Sequence, residues 1–189
     1  MNWQDALQRL KEGNQRFTSD SNNTPMQDKE VRAGLTCGQS PYAILLSCAD
    51  SRVVPEAVFD TGLGEIFVVR VAGNVANPSS IASIEYAVAN LGTKLIVVLG
   101  HQSCGAVGAA VAGGDNGPNL NTLVNYISPS VEKLGADADL ADIVKENASH
   151  SVGDLVSKSD IISNSVSNNG VKIISAYYHL DSGGVDFED

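Results

Sequence analysis

The chain is 189 residues long, 43% hydrophobic and 18% charged, with 22 acidic against 12 basic residues and a formal net charge of −10. That length suits one domain with a substantial core. The acidity argues against a nucleic-acid binder or a protein of anionic membrane surfaces, both of which need a basic face, and no apolar run approaches the roughly 20 residues that span a bilayer.

The N-terminal stretch MNWQDALQRLKEGNQRF carries Trp3, Ala6, Leu7, Leu10 and Phe17 on a helical stripe. Asn2 with Asp5 is placed to cap its start. The stretch is charged and has no signal-peptide core, so a cytoplasmic location is expected. Residues 19–39 are polar and turn-rich and read as a connecting arm. Strands are expected at Tyr42–Ser47, Ile66–Val71, Lys94–Gly100 and Val171–Tyr178, each rich in apolar, β-branched or aromatic residues. Between them Ser79–Leu91 is helical, with Ile81, Ile84, Val88 and Leu91 on one face and Asn77 or Ser79 as N-cap. A helix is expected over Cys104–Val111, and two or three more between Asn119 and Asn169, broken near Pro129 and Gly135. The tail HLDSGGVDFED reads as a hairpin turn and a short last strand.

This alternation predicts an α/β fold: a single domain over 1–189 with a mostly parallel central β-sheet flanked by helices, an N-terminal helical arm (1–39), an α/β core (40–189) and a C-terminal β-hairpin edge.

Two strands end in unusual residues. The first runs into SCADSRV, the third into GHQSCGAVG. Ligands of open parallel sheets bind beyond the carboxyl ends of the strands, so Cys48, Asp50, His101 and Cys104 are offered at one edge. Two thiolates, one imidazole and one carboxylate are a zinc-type donor set. If Asp50 takes a fourth position the site is closed; if Arg52 pairs with Asp50, residues two apart on an extended segment sharing a side, a water position stays open. A structural zinc, a Cys48–Cys104 disulfide, or an apolar-like buried Cys48 and a satisfied core His101 are the alternatives. Cys37 reads as a spare thiol. Gly62 and Gly64 precede a strand, so a dinucleotide fingerprint fails, and neither a Walker lysine nor a Gly-x-Ser-x-Gly elbow occurs.

CADSRV together with GHQSCGAV resembles the β-class carbonic anhydrase family. The resemblance covers nearly the whole chain, through EGNQRF, GQSP, VVRVAGNVA, SIEYAV, LIVVLGHQSCGAV and AYYHLDSGGVDF in that order. It implies that Cys48, His101 and Cys104 bind Zn2+ and that Asp50 and Arg52 form the catalytic dyad. It implies reversible hydration of CO2 to bicarbonate and a proton by attack of zinc-bound hydroxide. Gln39, Phe67, Ala72, Tyr86 and Gly105 match substrate-pocket positions, some supplied across the interface of a homodimer, which in turn can form a tetramer. Relatives with the same ligands hydrolyse carbonyl sulfide or carbon disulfide, and a catalytically silent zinc-stabilised subunit is the third reading. Leu45 stands where some bacterial members carry the tryptophan of a noncatalytic bicarbonate site, which implies a member without that site and with Asp50 held by Arg52 near neutral pH. Ala72 is smaller than the valine often found there, and Ala148 replaces the valine of an ENV segment. His150 and His179 are read as solvent-facing histidines and not as proton shuttles.

Overall fold

The computed structural model describes residues 1–23 and 27–188. Strands β1 (Ala43–Ser47), β2 (Ile66–Arg70), β3 (Leu95–His101) and β4 (Lys172–Tyr178) run parallel, and β5 (Val185–Glu188) pairs antiparallel with β4. Their spatial order is β2-β1-β3-β4-β5. Every residue of β1 and β3 is buried. A strand covered on both faces has no polar side to show, which is why both read as unbroken apolar runs. The hairpin expected at the tail is the β4–β5 pair.

Helices cover both faces. On one side α1 (Trp3–Thr18) and the single turn α3 (Pro55–Val58) bring Leu7, Leu10, Val58 and the adjoining Phe59 against Leu45, Val97, Leu99 and Ile174. On the other, α4 (Pro78–Leu91), α7 (Leu140–Ser157) and α8 (Asp160–Asn168) bring Ile84, Val88, Leu155 and Ile162 against Ile44, Leu46, Ile96 and Val98. The caps follow the sequence: Asn2 Oδ1 accepts from the Asp5 amide at 2.8 Å, and Asn77 forms a capping box with Ser80. The connecting arm contains α2 (Lys29–Gly34), capped by Asp28 and burying none of its residues, so it adds nothing to the core; residues 24–26 of the arm lie outside the described residues.

One expectation fails. The chain does not break at Pro129: α5 (Gly105–Ala112) is followed by α6 (Pro118–Leu134), which passes through Pro129 and stops at Gly135, where φ is 89°. Proline removes one helical hydrogen bond and costs about 3 kcal/mol. Here Asn125, whose carbonyl loses that bond, is exposed along with Pro129, so water can replace the donor. Val124 and Ile127 on the same helix are buried and keep it packed.

Helix α1 is fixed through two adjacent residues. Gly13 lies so close to the α3 turn that a Cβ there would sit 2.0 Å from the Phe59 carbonyl oxygen. Next to it, buried Asn14 donates to the carbonyls of Val58 (3.1 Å) and Gly183 (2.8 Å) and accepts from the Val185 amide (3.0 Å). One amide thus joins α1 to the α3 turn and to the C-terminal hairpin. Asn14→Ala leaves these buried backbone groups unpaired, at roughly 1–3 kcal/mol for the unsatisfied groups. A drop in Tm on the order of 2–10 °C is expected for a chain of this size, measured by thermal melting with urea unfolding as the check.

Candidate metal centre

The strand order places β1 and β3 side by side at the point where connections leave in opposite directions, the position at which such sheets bind ligands. Cys48 follows the end of β1, His101 is the last residue of β3, and Cys104 is the N-cap of α5. Their ligand atoms all lie within 4.8 Å of one another. All three residues are buried, with exposures of 4%, 0% and 1%. Ser103 makes the sharp corner between His101 and Cys104 with a left-handed φ of 56°. A non-glycine residue held there costs of order 1 kcal/mol or more, and it persists because packing and partners hold it.

The proton on His101 is placed by its neighbour. Nδ1 lies 2.9 Å from the Gln102 carbonyl, which only accepts, so Nδ1 carries the hydrogen. Nε2 is then left with a lone pair, and it is buried without a hydrogen-bond partner among the described residues. An orphaned imidazole nitrogen beside two buried thiols fits a metal ion, whose bonds to such ligands run about 2.0–2.3 Å. Cys48 and Cys104 are both free, so the disulfide alternative is not the state of this structure. Cys37 is free and exposed, away from the group.

The thiols share a proton unequally. Cys48 is held well below the usual thiol range, chiefly by the hydrogen bond from Cys104, against the effect of burial and with help from the backbone amides of Asp50 and Gly73. Cys104 is pushed up, first by its bond to Cys48 and then by burial. Cys48 is thus the readily ionised thiol and Cys104 keeps the shared proton, which a cation held by both sulfurs would have to displace.

Asp50 stands at the rim. Arg52 grips it twice, Nε to Oδ1 at 2.9 Å and Nη2 to Oδ2 at 2.7 Å, and the Arg52 amide adds a third bond to Oδ1 at 2.9 Å. These bonds, led by the guanidinium, hold the Asp50 carboxyl far below the ordinary carboxylate range despite partial desolvation. Arg52 Nη2 also reaches the Ser103 carbonyl at 3.2 Å, so one side chain links the loop after β1 to the loop after β3. Asp50 Oδ2 lies 3.9 Å from His101 Nε2, beside the ligand set.

Ala72 and Gly105 border the ligands in the same chain, next to Gly73 and Cys104 respectively. Gln39, Phe67 and Tyr86 do not. Phe67 pairs with Ile44, four residues before Cys48 along the chain, about 13 Å at strand spacing. Its ring lies 6.5 Å from that of Tyr86, which is 51% exposed. Gln39 precedes β1, at the opposite edge of the sheet from Cys48. His150 pairs with Asp154 at 3.7 Å on α7, and His179 with Asp186 at 2.8 Å beyond β4.

Sequence reasoning missed Arg70. It is the last residue of β2, and its Nε and Nη2 donate to the carbonyls of Cys48 (2.9 Å) and Asp50 (2.6 Å). The signal was present, an arginine closing an apolar strand, but its targets are backbone atoms 22 and 20 residues away, which no spacing reveals.

The sequence profile described as carbonic anhydrase matches residues 43–185. Carbonic anhydrase 2 of Mycobacterium tuberculosis is 41% identical over 191 aligned residues, covering 97% of this chain and 92% of that one. Among solved structures, one of two tetrameric β-carbonic anhydrases from Sordaria macrospora superposes with a TM-score of 0.77 at 23% identity, over 97% of this chain and 96% of that one. The Coccomyxa β-carbonic anhydrase in complex with acetazolamide gives 0.77 at 25% identity, over 96% and 85%. With a buried Cys-His-Cys group at the switch point of the same fold, this chain belongs to the β-class carbonic anhydrase family.

Proposed function

We propose that this protein is a zinc enzyme that converts CO2 and water reversibly into bicarbonate and a proton. The observation that carries this reading is the buried, unpartnered Nε2 of His101 set against the thiols of Cys48 and Cys104. Cys48, His101 and Cys104 would hold the ion, and zinc, when bound, lowers the pKa of water toward neutrality. Asp50 stays ionised because Arg52 neutralises it, and so it remains a hydrogen-bond acceptor. Its Oδ2, 3.9 Å from His101 Nε2, would accept a hydrogen from the attacking water and so direct the water's lone pair toward carbon. Arg52 also keeps Asp50 off the ligand set, which leaves room for that water. Arg70 holds the two carbonyls that set the spacing between Cys48 and Asp50. The water oxygen becomes part of bicarbonate, and its proton leaves to solvent or buffer.

Ala72 and Gly105 line the substrate side from within the chain. Gln39, Phe67 and Tyr86 would be supplied by a second copy, in a homodimer that pairs further into a tetramer. This reading is supported by the half-exposed edge strand β2, by the exposed Tyr86 ring beside Phe67 and by the tetramers described for the Sordaria enzymes. The free cysteines suit a reducing, cytoplasmic setting. Among the described residues no helix is long and apolar enough to cross a membrane.

Stopped-flow CO2 hydration by the zinc-loaded protein at alkaline pH tests the assignment. Rapid turnover that depends on the metal is expected. Absence of turnover with stoichiometric zinc would overturn it, and turnover of carbonyl sulfide or carbon disulfide by the same sample would replace it.

A further inference from the structure

The Cys48 sulfur accepts a hydrogen bond from the Gly73 amide at 3.3 Å. Gly73 lies in a short turn, residues 72–74, where Gly73 and Asn74 both have left-handed backbones with φ of 68° and 46°. The peptide that joins Gly73 to Asn74 is held through its N–H, which the Asn74 nitrogen donates to the Val71 carbonyl at 2.9 Å. A glycine peptide in such a turn has wide freedom, so the direction of its N–H depends on what holds the other side of its α-carbon. That side is the same Gly73–Asn74 peptide, whose carbonyl is held by Asn147 of α7: its Nδ2 donates to the Gly73 carbonyl at 2.8 Å across 74 residues of sequence. Asn147 is fully buried, and Gly73 is buried with it. On α6 the Ile127 Cδ1 lies 2.7 Å from where a Gly73 Cβ would stand, so the turn fills its slot without room to tilt.

We propose that Asn147 is a positioning residue for the metal centre, acting through the Gly73 turn to aim an N–H at the Cys48 sulfur. The proposal rests on the reading of Cys48, His101 and Cys104 as metal ligands. An N–H donated to a ligating thiolate offsets its charge and fixes its orientation. Partners of this kind alter metal affinity by about 10–100-fold when removed. Asn147 touches no ligand, which separates it from Arg70, whose contacts run directly to the ligand loop. It reports instead whether the α7 helix is seated against the centre.

The test is titration of the metal-free protein with Co2+, followed by thiolate-to-cobalt absorption, and competition with a chelator for Zn2+. Asn147→Leu removes the donor while keeping the number and branching of the side-chain heavy atoms, and Asn147→Ser is a smaller residue that cannot span the distance. Leu155→Ala, on the same helix but in the core away from the centre, controls for lost stability. Both Asn147 variants are expected to bind Zn2+ about 10–100-fold more weakly with a shifted cobalt spectrum, while Leu155→Ala lowers Tm and leaves both readouts unchanged. Wild-type affinity and spectrum in the Asn147 variants, with lowered Tm alone, would overturn the proposal and leave the metal reading intact. Absence of thiolate-to-cobalt absorption in the unsubstituted protein would overturn the metal reading itself, and the proposal with it.

Discussion

Replacing Cys48 by serine is expected to strip the protein of metal and to lower CO2 hydration by on the order of 10³-fold or more, since the water would no longer be acidified near neutral pH. The hydroxyl offers a poor anionic ligand, and it ends the sharing of a proton between two buried sulfurs. Metal content by mass spectrometry after dialysis reads the first effect directly. Chelation of the unsubstituted protein should reproduce both losses and lower Tm, because an ion bound only by the folded state stabilises that state by mass action. Cys37→Ser is the control: that thiol is exposed and lies outside the ligand group, so metal and activity should be retained. Retention of zinc and full rate in the Cys48 variant would remove the centre from the mechanism.

The second large effect concerns Asp50. Asp50→Asn keeps the size of the side chain but removes the anion that accepts two bonds from the Arg52 guanidinium. A fall of about 10²–10⁴-fold in kcat/KM is expected, the usual span for a positioned proton acceptor, with zinc content unchanged. The pH dependence separates its role from that of the metal. Asp50 is held far below the ordinary carboxylate range by Arg52. A depressed pKa means the charged pair is fully formed above the unfolded carboxylate value of about 3.9 and is lost only as pH falls through the lower folded value. Asp50 therefore cannot be the group whose ionisation raises activity near neutrality. The rate should climb with an apparent pKa of roughly 7 or somewhat above, and Asp50→Asn should lower the plateau without moving the inflection. An inflection that shifts by more than about one unit in the variant would assign that titration to Asp50 after all.

Much of this could be read from the chain alone, and the exceptions have common causes. β1, β3 and β4 announce themselves as apolar runs because each must fit between two helical layers, and the observed bounds depart from the expected ones by about one residue. Cys48, Asp50, His101 and Cys104 were legible because each follows or ends a strand whose partner is also recognisable. Pro129 misled because propensity is local, whereas the packing of Ile127 against Val107, Ile143 and Val144 of neighbouring helices is not. Arg70 and Asn147 were silent because they donate to backbone carbonyls, which carry no residue-type signature, and Gly73 because it acts through its own amide and no side chain. Gln39, Phe67 and Tyr86 were legible as motif positions, but their distance from Cys48 within one chain depends on strand direction and register.

The three bonds of Asn14 set an order of events at the ribosome. Its partners at Gly183 and Val185 lie 169 and 171 residues downstream. At about 5–20 residues per second, the first helix leaves the exit tunnel on the order of ten to thirty seconds before the segment that completes its bonding. During that interval Asn14 can reach only the Val58 carbonyl, 44 residues on, and water holds the rest of its amide. Emergence of the hairpin that follows β4, and not of the central strands, is then the step that completes the bonding of Asn14.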